Sequence, residues 1–420
     1  METINKRNIK SRGIIGPGVI TGASDDDPSG IGTYSQTGAG YGTAFLWLSP
    51  ATIPLMVLIQ EMCARIGLVT GRGLASNIRR HVGRFWLGLA AVLLLSANIF
   101  NIGADLSAMA ASFKLLFPAV PFYLAISGIT LLTIGLEIAL PYKTYSRYLK
   151  WLTFSLFAYV AAAFAAQIPW RQVFVSLFHP GLPRDGASWT LVAAVLGTTI
   201  SPYLFFWQTS EEVEEEISEG KMSLKSREGA SLEEIRSMRK DIWSGMTASN
   251  VIMFFIIATC AFTLHKAGIT NIETPEAAAK ALEPLAGSWS SFWFSLGILG
   301  TGLLAIPVLS GSAAYALAEI FGWREGLSLP YRKAVAFYST LAGATFLGLL
   351  MNIVNLPPMK MLLWAAVGNA LAAPVLIVLI VIVSAQEKTM GRWKNKWWIS
   401  LSGIGLATIM AVSGYMALFN

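Results

Sequence analysis

Histidine and cysteine are nearly missing from this sequence. Three His and two Cys in 420 residues leave no spacing for a thiolate or imidazole metal centre and no framework of disulfides. Cys63 and Cys260 both fall in apolar segments and read as small core residues, a disulfide between them being the alternative. Charge is scarce too: 13% of residues are Asp, Glu, Lys or Arg, too few to cover a soluble globule. His81, His179 and His265 all sit in loops or at helix ends. No nucleophile and base pair is visible, so an intramembrane protease or phosphotransferase is disfavoured and no enzyme is expected. A cleavable signal peptide is also missing. Met1 to Gly13 is polar and basic, and acids interrupt the apolar run that follows.

What is present is apolar residues, 54% of the chain, with a mean hydropathy of +0.57. The chain reads as an all-α, polytopic membrane protein. Eleven segments have the length and hydropathy of membrane helices. They cover roughly 14–40, 43–70, 86–113, 119–141, 146–168, 188–208, 241–264, 288–320, 332–352, 360–385 and 396–419, the first and sixth being broken. Lys and Arg fall almost wholly on the N-terminal side, all but Lys114, Arg171, Arg184, Lys266, Lys280 and Lys360. The positive-inside rule then puts the N-terminus in the cytoplasm and Asn420 outside. Such loop charge satisfies topology, and no nucleic-acid partner is inferred. Five helices followed by five more, each set opening on a broken helix, make the inverted-repeat plan of secondary transporters. The first repeat spans 1–168 and the second 169–385, with a cytoplasmic linker at about 209–240; the last helix, in 386–420, is peripheral. Residues 265–287 read as a short external helix.

The two breaks carry the chemistry. Ser24-Asp25-Asp26-Asp27-Pro28-Ser29-Gly30 puts three carboxylates, a proline and a glycine inside an apolar segment. Intramembrane carboxylates cost roughly 2.5 to 3.5 kcal/mol each on insertion scales, and a proline removes a donor that lipid cannot replace. A broken helix lining a watery cavity accommodates both. The rival reading is a solvated interfacial loop, and the second break, Gly197-Thr198-Thr199-Ile200-Ser201-Pro202-Tyr203, argues against it. Half-helices ending there leave unpaired carbonyls that attract cations. Asp27, the carbonyl near Thr198 and the hydroxyl of Ser201 would form an all-oxygen shell completed by water. Such a shell suits a hard ion such as Mg²⁺, and Mn²⁺ tolerates it.

Gly16-Pro17-Gly18, Asp27-Pro28-Ser29-Gly30 with the following Thr33-Tyr34-Ser35-Gln36-Thr37-Gly38-Ala39-Gly40-Tyr41-Gly42, and Ala64-Arg65-Ile66-Gly67-Leu68-Val69-Thr70-Gly71-Arg72 resemble the opening two helices of the NRAMP family of divalent metal transporters. The resemblance covers nearly the whole chain in helix order and is sharp in helices one, two and six. It implies a LeuT-like fold, alternating access and a metal site between the broken helices, with Mg²⁺ or Mn²⁺ as transported substrate and no cofactor. Most members carry Asp-Pro-Gly-Asn in the first break and Met-Pro-His in the second. Here Asp27 keeps the ligating place, Gly30 stands at the Asn, Ser201 at the Met, Tyr203 at the His, and Thr198 at a position commonly Ala. Loss of the thioether and the amide removes the soft ligand and enlarges the cavity. The pattern is similar to the NRAMP-related magnesium transporters.

Proton coupling is not expected, because Tyr203 replaces the His and Asn98 and Ala108 stand at the two helix-three Glu positions. Asp105 alone stays acidic there, either as a proton site or as a contact to a neighbouring helix. The alternatives are a proton-coupled Mn²⁺/Fe²⁺ symporter of the family type, a cation channel, and a Na⁺-coupled amino-acid symporter, whose substrate carboxylate three aspartates would repel. Asp26, Gln208 and Glu211 are further pathway candidates. The run Glu211 to Glu216 otherwise reads as a solvated helix face. Asn250 and Asn369 suit interhelical hydrogen bonds, Asn369 being the better candidate gate. A monomer in a bacterial-type inner membrane is expected.

Overall fold

A computed structural model describes residues 16–139, 154–354 and 356–419. All its regular elements are helices. The first span is two pieces, α1 (Pro17–Asp25) and α2 (Pro28–Tyr41). Pro28 has no N–H to continue the ladder, so the chain restarts with Asp27 in extended conformation as the cap of α2. Then come α3 (Leu48–Thr70), α4 (Leu74–His81), α5 (Arg84–Leu116), α6 (Phe122–Ala139), α7 (Phe157–Ala165) and α8 (Trp170–Phe178). The second break separates α9 (Gly186–Thr199) from α10 (Pro202–Ser218), again with proline at the first position of the new helix. The chain closes with α11 (Leu232–Cys260), α12 (Ser290–Phe321), α13 (Val335–Met351), α14 (Pro358–Ala385) and α15 (Trp397–Phe419).

Among the described residues, eight helical stretches are long and apolar enough to cross a membrane, α9 and α10 together counting as one. The shorter apolar helix α13 and the two-piece first span add to these. The expected fifth segment, 146–168, falls partly outside the described residues, as do Met1 to Gly13, Lys143, Arg147, Lys150 and Asn420. Residues 265–287 form short helical turns, Pro275–Ala279 and Glu283–Ala286. Cys63 and Cys260 are buried and unbridged.

Packing brings the two breaks face to face. α1 and α2 lie against α11, α9 against α14, and α10 between α3 and α12, while α2 touches α9 and α1 touches α10. Some of these crossings are backbone contacts. A Cβ at Gly22 would strike the Gly245 carbonyl, and one at Gly197 would strike that of Ala366. The start of α1 is capped from far along the chain: Asp241 accepts from the backbone N–H of Gly16 at 3.0 Å and of Gly18 at 2.6 Å.

Most of 209–240 is helix, because α10 runs on to Ser218 and α11 starts at Leu232 behind a Ser231/Glu234 capping box. One expectation for this stretch is corrected. The Glu-rich run is not a solvated face: Glu211, Glu212 and Glu216 are buried, since α10 is enclosed by α3 and α12. Glu216 pairs with Lys221 at 2.7 Å, and Lys221 reaches Glu234 at the same distance.

Candidate metal-ion site

Asp27 stands at the centre of the site. Its Oδ1 accepts from Ser29 Oγ and Gly30 N, both at 2.7 Å, and its Oδ2 from Asn101 Nδ2 at 3.0 Å. A carboxylate buried in a membrane span needs such donors to offset lost hydration. Ser29 also links the breaks, its Oγ lying 3.3 Å from Thr198 Oγ1. With the Ser29 proton directed at Asp27, the Thr198 hydroxyl is the donor in that contact, so the chain is polarised toward the carboxylate. Gly30 faces the same place: a Cβ there would sit 3.4 Å from Thr198 Oγ1 and 3.3 Å from the Asp25 carbonyl oxygen.

Ser201 stands just before α10, and its side chain closes the end of α9 rather than capping α10. Its hydroxyl donates to the carbonyls of Gly197 at 2.7 Å and Thr198 at 2.8 Å. The proton is thus used within its own segment, and only the oxygen lone pairs are left for an ion. Tyr203 donates to the Ser24 carbonyl at 3.1 Å, so the second break supplies a partner for a carbonyl the first one frees.

Asn101 is a member the sequence reading missed. Besides Asp27, its amide nitrogen lies 3.4 Å from Asp105 Oδ2, and its oxygen accepts from Asn369 Nδ2 at 3.4 Å. The signal was available, because Asn101 precedes Asp105 by four residues on α5 and so shares its face. Asp105 and Asn369 are fully buried, and Oδ1 of each has no hydrogen-bond partner. Asn98 instead ties α5 to α12, donating to Leu309 O and Ser312 Oγ, both at 2.8 Å. Asn250 is likewise an interhelical contact, accepting from Thr52 at 2.6 Å.

The other two aspartates turn away from this group. Ser249 Oγ donates to Asp25 Oδ2 at 2.8 Å and to Asp26 Oδ1 at 3.1 Å. Gln208 accepts from Thr21 at 2.6 Å and donates to Glu212 at 3.1 Å. It therefore joins α1 to α10 beyond the break, and buried Glu211 lies three residues further on. Among the described residues, no group of three or more His, Cys, Asp and Glu is arranged to hold a metal. Around Asp27 the structure thus gathers Ser29, Gly30 and Asn101 directly, Thr198 through Ser29, and Asp105 and Asn369 through Asn101.

Two interrupted spans meeting inside an all-helical membrane chain define a protein of LeuT-like fold. Solved structures match it: an Eremococcus coleocola manganese transporter has a TM-score of 0.73 at 17% identity, covering 96% of this chain and 85% of that one. A nucleobase-cation-symport-1 family transporter in a closed conformation has a TM-score of 0.57 at 16% identity, covering 96% and 90%. The chain belongs to the Nramp family, described as natural resistance-associated macrophage protein-like, whose profile matches residues 18–420. The divalent metal cation transporter MntH of Klebsiella pneumoniae (strain 342) is 24% identical over 415 residues, 96% of this chain and 93% of the relative. MntH of Yersinia pestis (strain Pestoides F) is 27% identical over 312 residues, 70% of each.

Proposed function

We propose that this protein carries divalent metal cations across the membrane by alternating access, with Mg²⁺ and Mn²⁺ as substrates held at Asp27, Thr198, Ser201 and the space left by Gly30. The observation that carries the reading is the contact between breaks, Thr198 to Ser29 to Asp27, which puts one charge and several neutral oxygens around one point. Relatives named as divalent metal cation and manganese transporters support it. A small hard ion keeps several waters when it has only one carboxylate, which fits a pocket whose nearest members are hydroxyls and amides. Without thioether or imidazole at Ser201 and Tyr203, nothing favours softer ions over Mg²⁺. We place this chain with the magnesium-transporting branch, monomeric, with the N-terminus in the cytoplasm. The membrane potential alone, at about 2.3 kcal/mol per charge per 100 mV, drives a divalent ion inward.

A second reading is proton-coupled symport, favoured by the buried Asp105 with its unpartnered oxygen. One experiment in proteoliposomes tests both. Uptake should be saturable, with Mg²⁺ competing against Mn²⁺, and a lumenal pH dye should stay flat during Mn²⁺ entry. Uptake that ignores Mg²⁺ would refute the substrate assignment, and acidification that accompanies the metal would establish coupling.

A further inference from the structure

Apart from the two breaks, the ends of α3 and α4, the 228–230 link and the connection between α14 and α15 line an open cleft of about 830 Å³. The turn after α3 gives Arg72, the last turn of α4 gives Arg80 and His81, and the link between α14 and α15 gives Lys388 and Arg392; Glu228 is the single acidic group in the wall. Some basic groups outside the cavity have carboxylate partners: Arg65 and Arg239 share Glu61, Lys221 holds Glu216 and Glu234, and Lys394 holds Glu387. Among the described residues, Arg72, Arg80, Lys388 and Arg392 make no such ion pair within 4.0 Å. Burial, and then the neighbouring Arg80, push both Arg72 and His81 toward their uncharged forms, and Glu228 offsets this only in part at Arg72; basic groups outnumber the one acid in the wall.

The cavity is held in shape. Thr389 Oγ1 lies 3.1 Å from His81 Nδ1, and Gln386 donates to the His81 carbonyl at 3.3 Å. Arg392 and Trp393 both donate to the Ala230 carbonyl at 3.0 Å, with the guanidinium over the indole at 4.8 Å. Its depth in the bilayer can be read from its flanks. α5, which begins three residues after His81, opens on exposed Phe85 and Trp86, and α15 opens on exposed Trp397 and Trp398. Aromatic pairs of this kind mark the level of lipid headgroups. A preformed basic pocket between spans at that level matches phosphate-bearing headgroups.

We propose that this cavity binds the phosphate group of an anionic phospholipid. Arg80 and Arg392 would contact the phosphate oxygens, since planar guanidinium forks match them. Occupation would join the α3 end, the 228–230 link and the connection to α15 through one shared anion, independently of what Asp27 carries.

The test uses purified full-length protein in detergent, titrated with phosphatidylglycerol, phosphatidylcholine or pyrophosphate, read by thermal unfolding and by native mass spectrometry. Phosphatidylglycerol should raise the melting temperature by several degrees and stay bound in the mass spectrum, while phosphatidylcholine and pyrophosphate do neither. Arg80→Gln with Arg392→Gln should lose at least half of that shift and one retained lipid. Lys225→Gln with Lys240→Gln, which removes equal charge outside the cavity, should keep both. Equal responses in the two double variants, or a shift that phosphatidylcholine matches, would overturn the site. A shift that pyrophosphate reproduces, and that then blocks lipid binding, would overturn the lipid as its source. If Arg80→Gln with Arg392→Gln does not fold, Lys388→Gln supplies the same comparison by mass spectrometry.

Discussion

Replacing Asp27 by Asn separates charge from shape at the proposed site. The new amide oxygen can still accept from Gly30 N and Ser29 Oγ, and Asn caps a helix as well as Asp does, so the start of α2 survives. What goes is the negative charge. A divalent ion about 4 Å from a unit charge gains about 2 kcal/mol with water-like screening and about 8 kcal/mol at an effective dielectric of 20. Even the smaller figure corresponds to about 30-fold in affinity. The substitution also points an NH₂ at Asn101 Nδ2, now 3.0 Å from Asp27 Oδ2. Asn101 must then turn its amide, which disturbs its bond from Asn369. The expected result in proteoliposome uptake is a half-saturating Mg²⁺ or Mn²⁺ concentration raised at least about 30-fold, by the same screening argument. The metal-free melting temperature should move by no more than a few degrees, in keeping with a retained cap. Uptake that saturates at the wild-type concentration would refute the assignment of Asp27 as the ion's charged ligand.

Other outcomes follow from the same geometry. Asn101→Leu strips the donor from Asp27 Oδ2 and should cost about 1–3 kcal/mol, the range for an orphaned buried acceptor; added Mg²⁺ should restore most of the lost melting temperature, and a variant as stable as the wild type without metal would contradict this. Gly30→Asn with Ser201→Met reintroduces an amide and a thioether and should shift competition toward Mn²⁺ over Mg²⁺, while an unchanged ratio would place selectivity outside these two positions. Glu325 supplies a pH prediction away from the membrane spans. Burial, then the carboxylates of Glu319 and Glu214, push its carboxyl up to about 9. The folded state therefore holds a proton that the unfolded chain has released, and this group makes stability fall as pH rises from about 5 to about 9. Glu325→Gln should flatten that fall in a melting-temperature series, and an unaltered slope would remove Glu325 as its source.

How much of this was legible in the sequence depends on the kind of signal. Pro28 and Pro202 each remove a donor that an apolar span cannot replace, so both breaks could be placed to the residue. The acid just before the first proline was singled out as a candidate ion ligand, while its work as the cap of the helix that restarts is visible only in the fold. Asn101 was harder to find: an amide in an apolar helix is explained equally well by any neighbouring helix, and only packing shows that its neighbour is Asp27. The Glu-rich end of α10 misled for the opposite reason. Charge density suggested water, but α3 and α12 enclose that face, and Lys221 and other polar partners answer the carboxylates from outside the helix. Ser201 stands between these cases, its position foreseen and its donation to the Gly197 and Thr198 carbonyls visible only in the fold.

Asp241 gives the molecule a lever. The N–H groups of Gly16, just before α1, and of Gly18, in its first turn, rest on a carboxylate of α11, and where these helices cross at Gly22 and Gly245 no side chain intervenes. Any tilt of α1 must therefore carry α11 with it or break two charged hydrogen bonds. The loop 219–231, which feeds directly into α11, is thereby joined mechanically to α1 and to the first break at its far end.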